Sequence, residues 1–142
     1  MVNLILDSIT KQLGTTFGTN YKYYVEDVEQ GLERPAFHVG MRGLTMRSIS
    51  PTLYDRRFPV VIHYFSDDKV NTKKDCYAKC AEILDCIEYL PVENTLLRGE
   101  QISWQMVEDT LQIFITYRVV TQKVKVDEDE MSSLIQPNVN IK

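Results

Sequence analysis

A chain of 142 residues with 44% hydrophobic and 25% charged residues has the size and composition of one globular domain and is too short for two separate cores. Its net charge of −4 argues against a surface that coats nucleic acid, because such surfaces carry a strong basic excess. No apolar run approaches the roughly 20 residues that span a bilayer, and the start of the chain lacks the basic region of a secretory signal, so we expect no membrane segment.

The first predicted element is a one-faced helix. Its apolar residues recur at helical spacing on one arc, and Gly14 follows them as a helix stop does. This face must pack on a second layer. Residues 21–28, which are rich in aromatic and β-branched side chains, are typical of a strand. The helix face consists of Val2, Ile5, Leu6, Ile9 and Leu13.

A long β-hairpin is predicted next, with strands over residues 36–49 and 53–65 joined by Ser50, Pro51 and Thr52. One face of the second strand is apolar apart from Arg56, while the other face is polar near Asp55 and apolar farther along. A strand that changes character in this way leaves the core at one end. We therefore expect the hairpin to project outward at its Pro51 end.

Four arginines lie on this hairpin. They either keep an exposed edge charged, which discourages edge pairing, or dock the hairpin onto the acidic surface of a partner or a neighbouring copy. The acidic run near the C-terminus is the obvious complement. The candidate interface comprises Arg42, Arg47, Tyr54, Arg56, Arg57, Asp127, Glu128, Asp129 and Glu130.

The second half of the chain predicts a helix over residues 70–90, closed by Pro91, and short strands over residues 95–97 and 102–107. A tight turn at Glu108 and Asp109 then leads to a long strand over residues 111–124. Residues 1–126 are expected to form a single domain, and residues 127–142 an acidic and polar flexible tail. The order of helix, three strands, helix and three strands predicts an α+β fold, with a mostly antiparallel sheet and both helices on one face.

Cysteine and histidine chemistry is not favoured. The three cysteines fall between Cys76 and Cys86, which is not a disulfide framework and indicates a reducing, cytoplasmic folding environment. Cys76 and Cys80 share a helix face, but a zinc site needs two further ligands, so we interpret them as core residues. His38 and His63 lie inside predicted strands, where ordinary structural histidines are expected.

A metal-dependent hydrolase is a low-ranked alternative. Asp55, Asp67, Asp68 and Lys69 are the residue types that hold a divalent cation and stabilise developing charge. The simpler interpretation is that Asp67 or Asp68 caps the second helix. No phosphate-cradling glycine pattern is present, so we expect no cofactor.

A family resemblance rests on the segment from Glu29 to Phe37, with Gln30, Gly31 and Pro35 inside it, after a tyrosine-rich strand. His63-Tyr64-Phe65 at the end of the hairpin, the amphipathic second helix and the strand after the tight turn add to it. With these features the chain resembles the tail terminators, or tail completion proteins, of phages and prophages of Gram-positive bacteria.

This resemblance implies a structural protein and not an enzyme. Tail terminators are similar α+β domains that form a hexameric ring on the finished tail tube, stop its growth and present a surface to the head-completion or connector protein. The implied partners are other copies of the chain, the tail tube protein, the head-completion protein and, in contractile tails, the sheath, with DNA only as passing cargo. The implied location is the host cytoplasm during assembly and then the virion tail. Another head–tail connector or neck component of similar fold is the alternative.

Overall fold

The computed structural model describes residues 1–26 and 31–122. These residues form two helices and seven strands in the order α1 (Val2–Phe17), β1 (Lys22–Val25), β2 (Ala36–Met41), β3 (Thr45–Ser48), β4 (Leu53–Phe65), α2 (Thr72–Ile87), β5 (Tyr89–Val92), β6 (Thr95–Val107) and β7 (Thr110–Gln122). The predicted α+β class and the alternation of helix and strand groups are confirmed. Neither of these helices has the length and apolar character needed to cross a membrane.

The strands form one sheet in the order β1-β2-β4-β7-β6-β5, and β3 also pairs with β4. β1 and β2 are parallel, and all other pairs are antiparallel. β4 and β7 pair along their full length, from Leu53 opposite Gln122 to Phe65 opposite Thr110. This long pair is the centre of the sheet. β1, β2 and β3 lie on the β4 side of it, and β5 and β6 lie on the β7 side.

The predicted strand over residues 36–49 is present as two strands, β2 and β3, on the same side of β4. Met41 lies opposite Val60 and Thr45 lies opposite Arg57, so three residues on one strand face two on the other. One extra residue of this kind is a β-bulge, and Gly43 within it has a φ of 140°. The bulge shifts the register by one residue and bends the hairpin where it leaves the core.

Both helices pack on one face of the sheet, as predicted. α1 buries Ile5, Leu6, Ile9 and Leu13 against that face. α2 contributes two buried cysteines, whose pKa values are raised by burial, so the interpretation of Cys76 and Cys80 as core residues is confirmed. The sheet side of the core is formed by alternate residues of the two central strands, Phe58, Val60, Ile62, Tyr64, Leu111, Ile113, Ile115 and Tyr117.

The end of α2 and the strands after it differ from the prediction. The helix ends at Ile87, whose carbonyl accepts a 2.6 Å hydrogen bond from the Tyr117 hydroxyl, and the next carbonyl, of Glu88, accepts one from the Gly99 amide at 2.7 Å. Because these carbonyls accept hydrogen bonds from β6 and β7, the helix ends here and the chain continues as β5. The two short strands predicted after it are one strand, β6, with an irregularity between Glu100 and Ser103.

Candidate interaction surface

Beyond Phe58 on β4 and Tyr117 on β7 the sheet continues without the buried apolar core. We call this part, residues 42–57 and 118–122, the arm; it contains β3 and the outer ends of β4 and β7. Five arginines against one aspartate leave the arm a formal charge of +4, whereas the whole chain carries −4. The arm is therefore a projecting end of net positive charge on an otherwise acidic protein. The five are Arg42, Arg47, Arg56, Arg57 and Arg118.

Asp55 is the centre of the arm. Its side chain is on the helix-free face of the sheet, yet only 3% of the residue is exposed. One carboxylate oxygen accepts a 3.0 Å hydrogen bond from Arg118 Nε, and the other lies 3.5 Å from Arg57 and 3.9 Å from Arg47. Burial alone would raise the pKa of Asp55, but the hydrogen bond and the three positive charges hold it below its usual range. One carboxylate thus links β3, β4 and β7.

Of the predicted interface arginines, Arg47 and Arg57 contact Asp55, whereas Arg42 and Arg56 have other surroundings. Arg47 and Arg57 bind Asp55, and Arg57 also reaches Glu100 of β6 at 3.7 Å, which ties the arm to the body. The Arg42 guanidinium lies over the Phe114 ring, 4.6 Å from its centroid. The Arg56 Nε atom is buried and has no hydrogen-bond partner among the described residues.

Tyr54 is half-buried on the helix side of the arm, opposite Ser48 of β3 and Thr121 of β7. The rest of the predicted interface, Asp127, Glu128, Asp129 and Glu130, lies outside the described residues, as does the predicted tail over residues 127–142. The last described residue, Gln122, is paired with Leu53 beside the turn at the tip of the arm. The described part of the predicted interface is therefore the arginine-rich arm.

The helix-free face of the body carries the two histidines, which face each other on paired strands. His38 of β2 is opposite His63 of β4, and their Nδ1 atoms are 3.2 Å apart. His38 Nε2 donates to the backbone carbonyl of Glu26, so its Nδ1 accepts the proton of His63 in the neutral pair. The pair borders an open cavity of about 570 Å³, which is also lined by Glu26, Arg34, Phe65, Glu108 and Gln112.

Acid is expected to weaken the fold through this pair. Burial first, and the neighbouring His38 second, lower the pKa of His63 below 6.5. The unfolded chain therefore binds the proton more readily, so unfolding free energy falls as the pH drops from 6.5 towards the folded-state pKa of His63. Charges facing the pair are those of Glu26, Arg34 and Glu108. Urea unfolding at pH 7 and pH 5.5 should show a smaller difference for His63→Gln than for the wild type, and an equal difference would exclude this pair as the cause.

The hydrolase residues are not brought together. Asp55 is ten residues from the far end of β4, roughly 33 Å along the strand from the loop that holds Asp67 and Asp68. Asp68 accepts hydrogen bonds from the amides of Val70 and Asn71 at 3.0 and 2.9 Å in a turn ahead of α2, whose N-cap is Asn71. Among residues 1–26 and 31–122, no three His, Cys, Asp or Glu side chains form a metal-binding group. The prediction that Asp67 or Asp68 caps α2 is wrong, although Asp68 does have a turn role.

Sequence reasoning missed the structural role of Asp55. A signal for it was present, because strands joined by the three residues Ser50, Pro51 and Thr52 place residues 47 and 55 opposite each other. The hairpin register therefore places Arg47 opposite Asp55. The contribution of Arg118 could be known only from the pairing of β4 with β7.

Comparison with known proteins gives a family match. A family described as "Phage tail terminator protein" matches residues 4–130. Among solved structures, a chain from the virion of a native gene transfer agent particle has 16% identity and a TM-score of 0.49, covering 83% of this chain and 94% of its own. A second solved chain has 11% identity and a TM-score of 0.45, covering 89% of this chain and 99% of its own. The search of curated proteins finds no match.

Proposed function

The chain belongs to the phage tail terminator family, and from this premise we propose that it caps the tail tube as a ring of about six identical subunits. In this role the ring ends tube polymerisation and presents a surface to the head-completion or connector protein. The family is structural and places the protein among virion tail components.

The observation that carries the proposal is the charged arm. A projection with a formal charge of +4 on a chain of net charge −4 favours a contact between the arm of one copy and the body of another. Such a contact uses two different surfaces, so after two copies bind, one still has a free arm and the other a free body surface. A repeated head-to-tail contact closes into a ring when its rotation allows, and a closed ring ends growth.

The arm is suited to this role because its conformation is already set in the single chain. Asp55 holds three arginines from three strands, and Arg57 connects the arm to Glu100. Binding therefore costs little ordering entropy in the arm, compared with a segment that folds on contact. The net acidity of the chain also suits a ring through which DNA passes, because like charges do not adhere.

The test is the mass of the protein in solution, measured by light scattering alone and with purified tail tube protein. We expect a species of about six copies, or tubes of fixed length that carry it at one end. Arg56→Glu, which reverses a charge on the arm without touching Asp55, should reduce capping at least tenfold. Arg98→Glu on β6, whose side chain pairs with Glu88 in the body, is the matched control and should cap normally.

The outcomes separate the two interpretations. A monomer that ignores tube protein would replace this proposal with the alternative of another neck or connector component. Equal capping by Arg56→Glu and Arg98→Glu would retain the ring but remove the arm's charge from its mechanism.

A further inference from the structure

The outer edge of β6 is open. Among residues 1–26 and 31–122, no strand pairs with this edge from Ile102 to Val107. Glu108 and Asp109 both have positive φ, which defines the two-residue turn that joins β6 to β7. Because paired residues alternate along an antiparallel ladder, the backbone N–H and C=O groups of Trp104 and Met106 point outward. These groups can be satisfied by one further strand.

Apolar side chains line this open edge on the helix side of the sheet. Trp104 is 46% exposed, and its ring makes an edge-to-face contact with Tyr77 of α2, which is 49% exposed, at 5.7 Å. Ile102 beside them is 37% exposed. Open strand edges are normally protected by charge or covered, and aromatic side chains are enriched at protein interfaces. Together the edge and its apolar border are typical of a contact surface.

A second open edge belongs to the arm. In the described part of the chain β3 pairs only with β4, and all four of its residues are exposed. Met46 is 56% exposed and is opposite Arg56, on the same side of the sheet as Trp104. Thr45 and Arg47 lie on the helix-free side, as do Ser103 and Gln105 of β6. Each edge therefore has an exposed apolar side chain at its centre on the helix side, Met46 or Trp104, and mainly polar side chains on the other.

We propose that β3 of one copy pairs with the outer edge of β6 in the next copy, so that the sheet runs continuously from subunit to subunit. The inference rests on the proposed ring, for which it names the subunit contact. β3 and β7 run in one direction and β4 and β6 in the other. When copies keep the same orientation, β6 and the neighbouring β3 are thus antiparallel, and helices stay on one face throughout.

Charge supports a second copy as the occupant. The arm brings its positive charge to an edge that ends in the acidic turn of Glu108 and Asp109. Met46 meets Trp104, a sulfur–aromatic pairing that suits irregular contacts. Because the two edges differ, the contact is head-to-tail and leaves one free edge at each end of any open chain of copies.

The contact also sets the offset between subunits. Met46 of β3 lies level with Val119 of β7, whereas Trp104 lies level with Ile113, a separation of roughly 20 Å along the strands. The neighbouring copy is displaced by that distance, so its arm lies along the body of the first copy. This displacement places most of the neighbour's body past the end of the first sheet.

Cross-linking with single-cysteine additions tests the contact. Met46→Cys protein mixed with Trp104→Cys protein, both bound to tail tubes, should give a covalent dimer with a bismaleimide of about 10 Å span, a reach that tolerates small register differences. Each variant alone should give only the background seen with the wild type, in which Cys76 and Cys80 are buried and Cys86 is half-buried. A chain carrying both substitutions should give a ladder that ends at the closed ring. Val70→Cys mixed with Trp104→Cys is the matched control, because Val70 is 88% exposed and on neither edge.

Each result decides between the contact and the ring. Homodimers of one variant would mean a two-fold contact and would overturn the inference, as would linkage of Trp104→Cys to tube protein. A ring of normal mass without cross-links would also overturn it but leave the proposed function intact. Failure of the wild type to form any ring, alone or on tubes, would contradict both the β3–β6 contact and the proposed function.

Discussion

Replacement of Phe37 by alanine is expected to lower the free energy of unfolding by about 3–5 kcal/mol, the usual loss for a fully buried phenylalanine. Small domains have a total stability of about 5–15 kcal/mol, so this single change removes a large part of it. The same phenylalanine is the aromatic position of the segment that carries the family resemblance. Its importance is therefore structural.

The reason for so large a loss is the number of aromatic rings around Phe37. Its side chain is fully buried, and its ring centroid lies 4.9–5.6 Å from those of four others. These rings come from the end of α1, the segment after it, β1 and β4, so alanine would leave a cavity shared by four elements. The four partners are Phe17, Tyr21, Tyr23 and Tyr64.

Urea unfolding followed by circular dichroism measures this loss. Phe65→Ala is the matched control, because Phe65 lies on the helix-free face, is half-buried and contacts the Arg34 guanidinium at 5.4 Å. It should cost about 1 kcal/mol, as expected for the loss of a partly exposed cation–π contact. Equal losses for the two variants would contradict the view that the helix-side cluster holds the fold.

Sequence reasoning located the helices, the long hairpin and its projecting end because each has a local periodic signal. It was wrong about the end of α2 for a physical reason. Leu90 continues the stripe of Ile83 and Ile87, so periodicity alone cannot separate a longer helix from a strand that starts there. The boundary is set by hydrogen bonds from Tyr117 and Gly99, which are distant in sequence.

Part of the candidate surface could be predicted from the sequence, and part could not. His38 and His63 lie on the two strands of the predicted hairpin, and four of the arm arginines were identified from their position on that hairpin. The bond from Arg118 to Asp55 joins residues 63 apart in sequence, and no local pattern predicts it. The open edge of β6 was not recognised, because edges depend on the strand order of the whole sheet.

Substitution of Asp55 by asparagine is expected to release β3 from the arm and to abolish tail capping, while the core stays folded. The substitution leaves Arg47, Arg57 and Arg118 close together around a neutral amide, so their mutual repulsion is no longer balanced. A hydrogen bond to a charged group contributes about 1.5–3 kcal/mol, and Asp55 accepts one from Arg118 of β7. The carboxylate reaches β3 through Arg47 at 3.9 Å, and without its charge this contact is lost, so the four-residue strand is expected to open. Hydrogen exchange at the β3 amides should then quicken at least tenfold, with exchange in α1 unchanged.

Acid should reproduce the effect of Asp55→Asn, and this distinguishes loss of charge from loss of shape. The folded-state pKa of Asp55 lies below the unfolded value of 3.8, so its contribution to stability is complete above pH 3.8 and is lost as the pH falls through the folded-state pKa. In wild-type protein, protection of the β3 amides should fall in that range. In Asp55→Asn it should already be low at pH 7 and change little on acidification. Glu93→Gln, in the turn between β5 and β6, is the control and should behave as wild type at both pH values. If Asp55→Asn keeps full β3 protection at neutral pH, the arm is held by its backbone ladder, and the arginines around Asp55 are free to bind a partner directly.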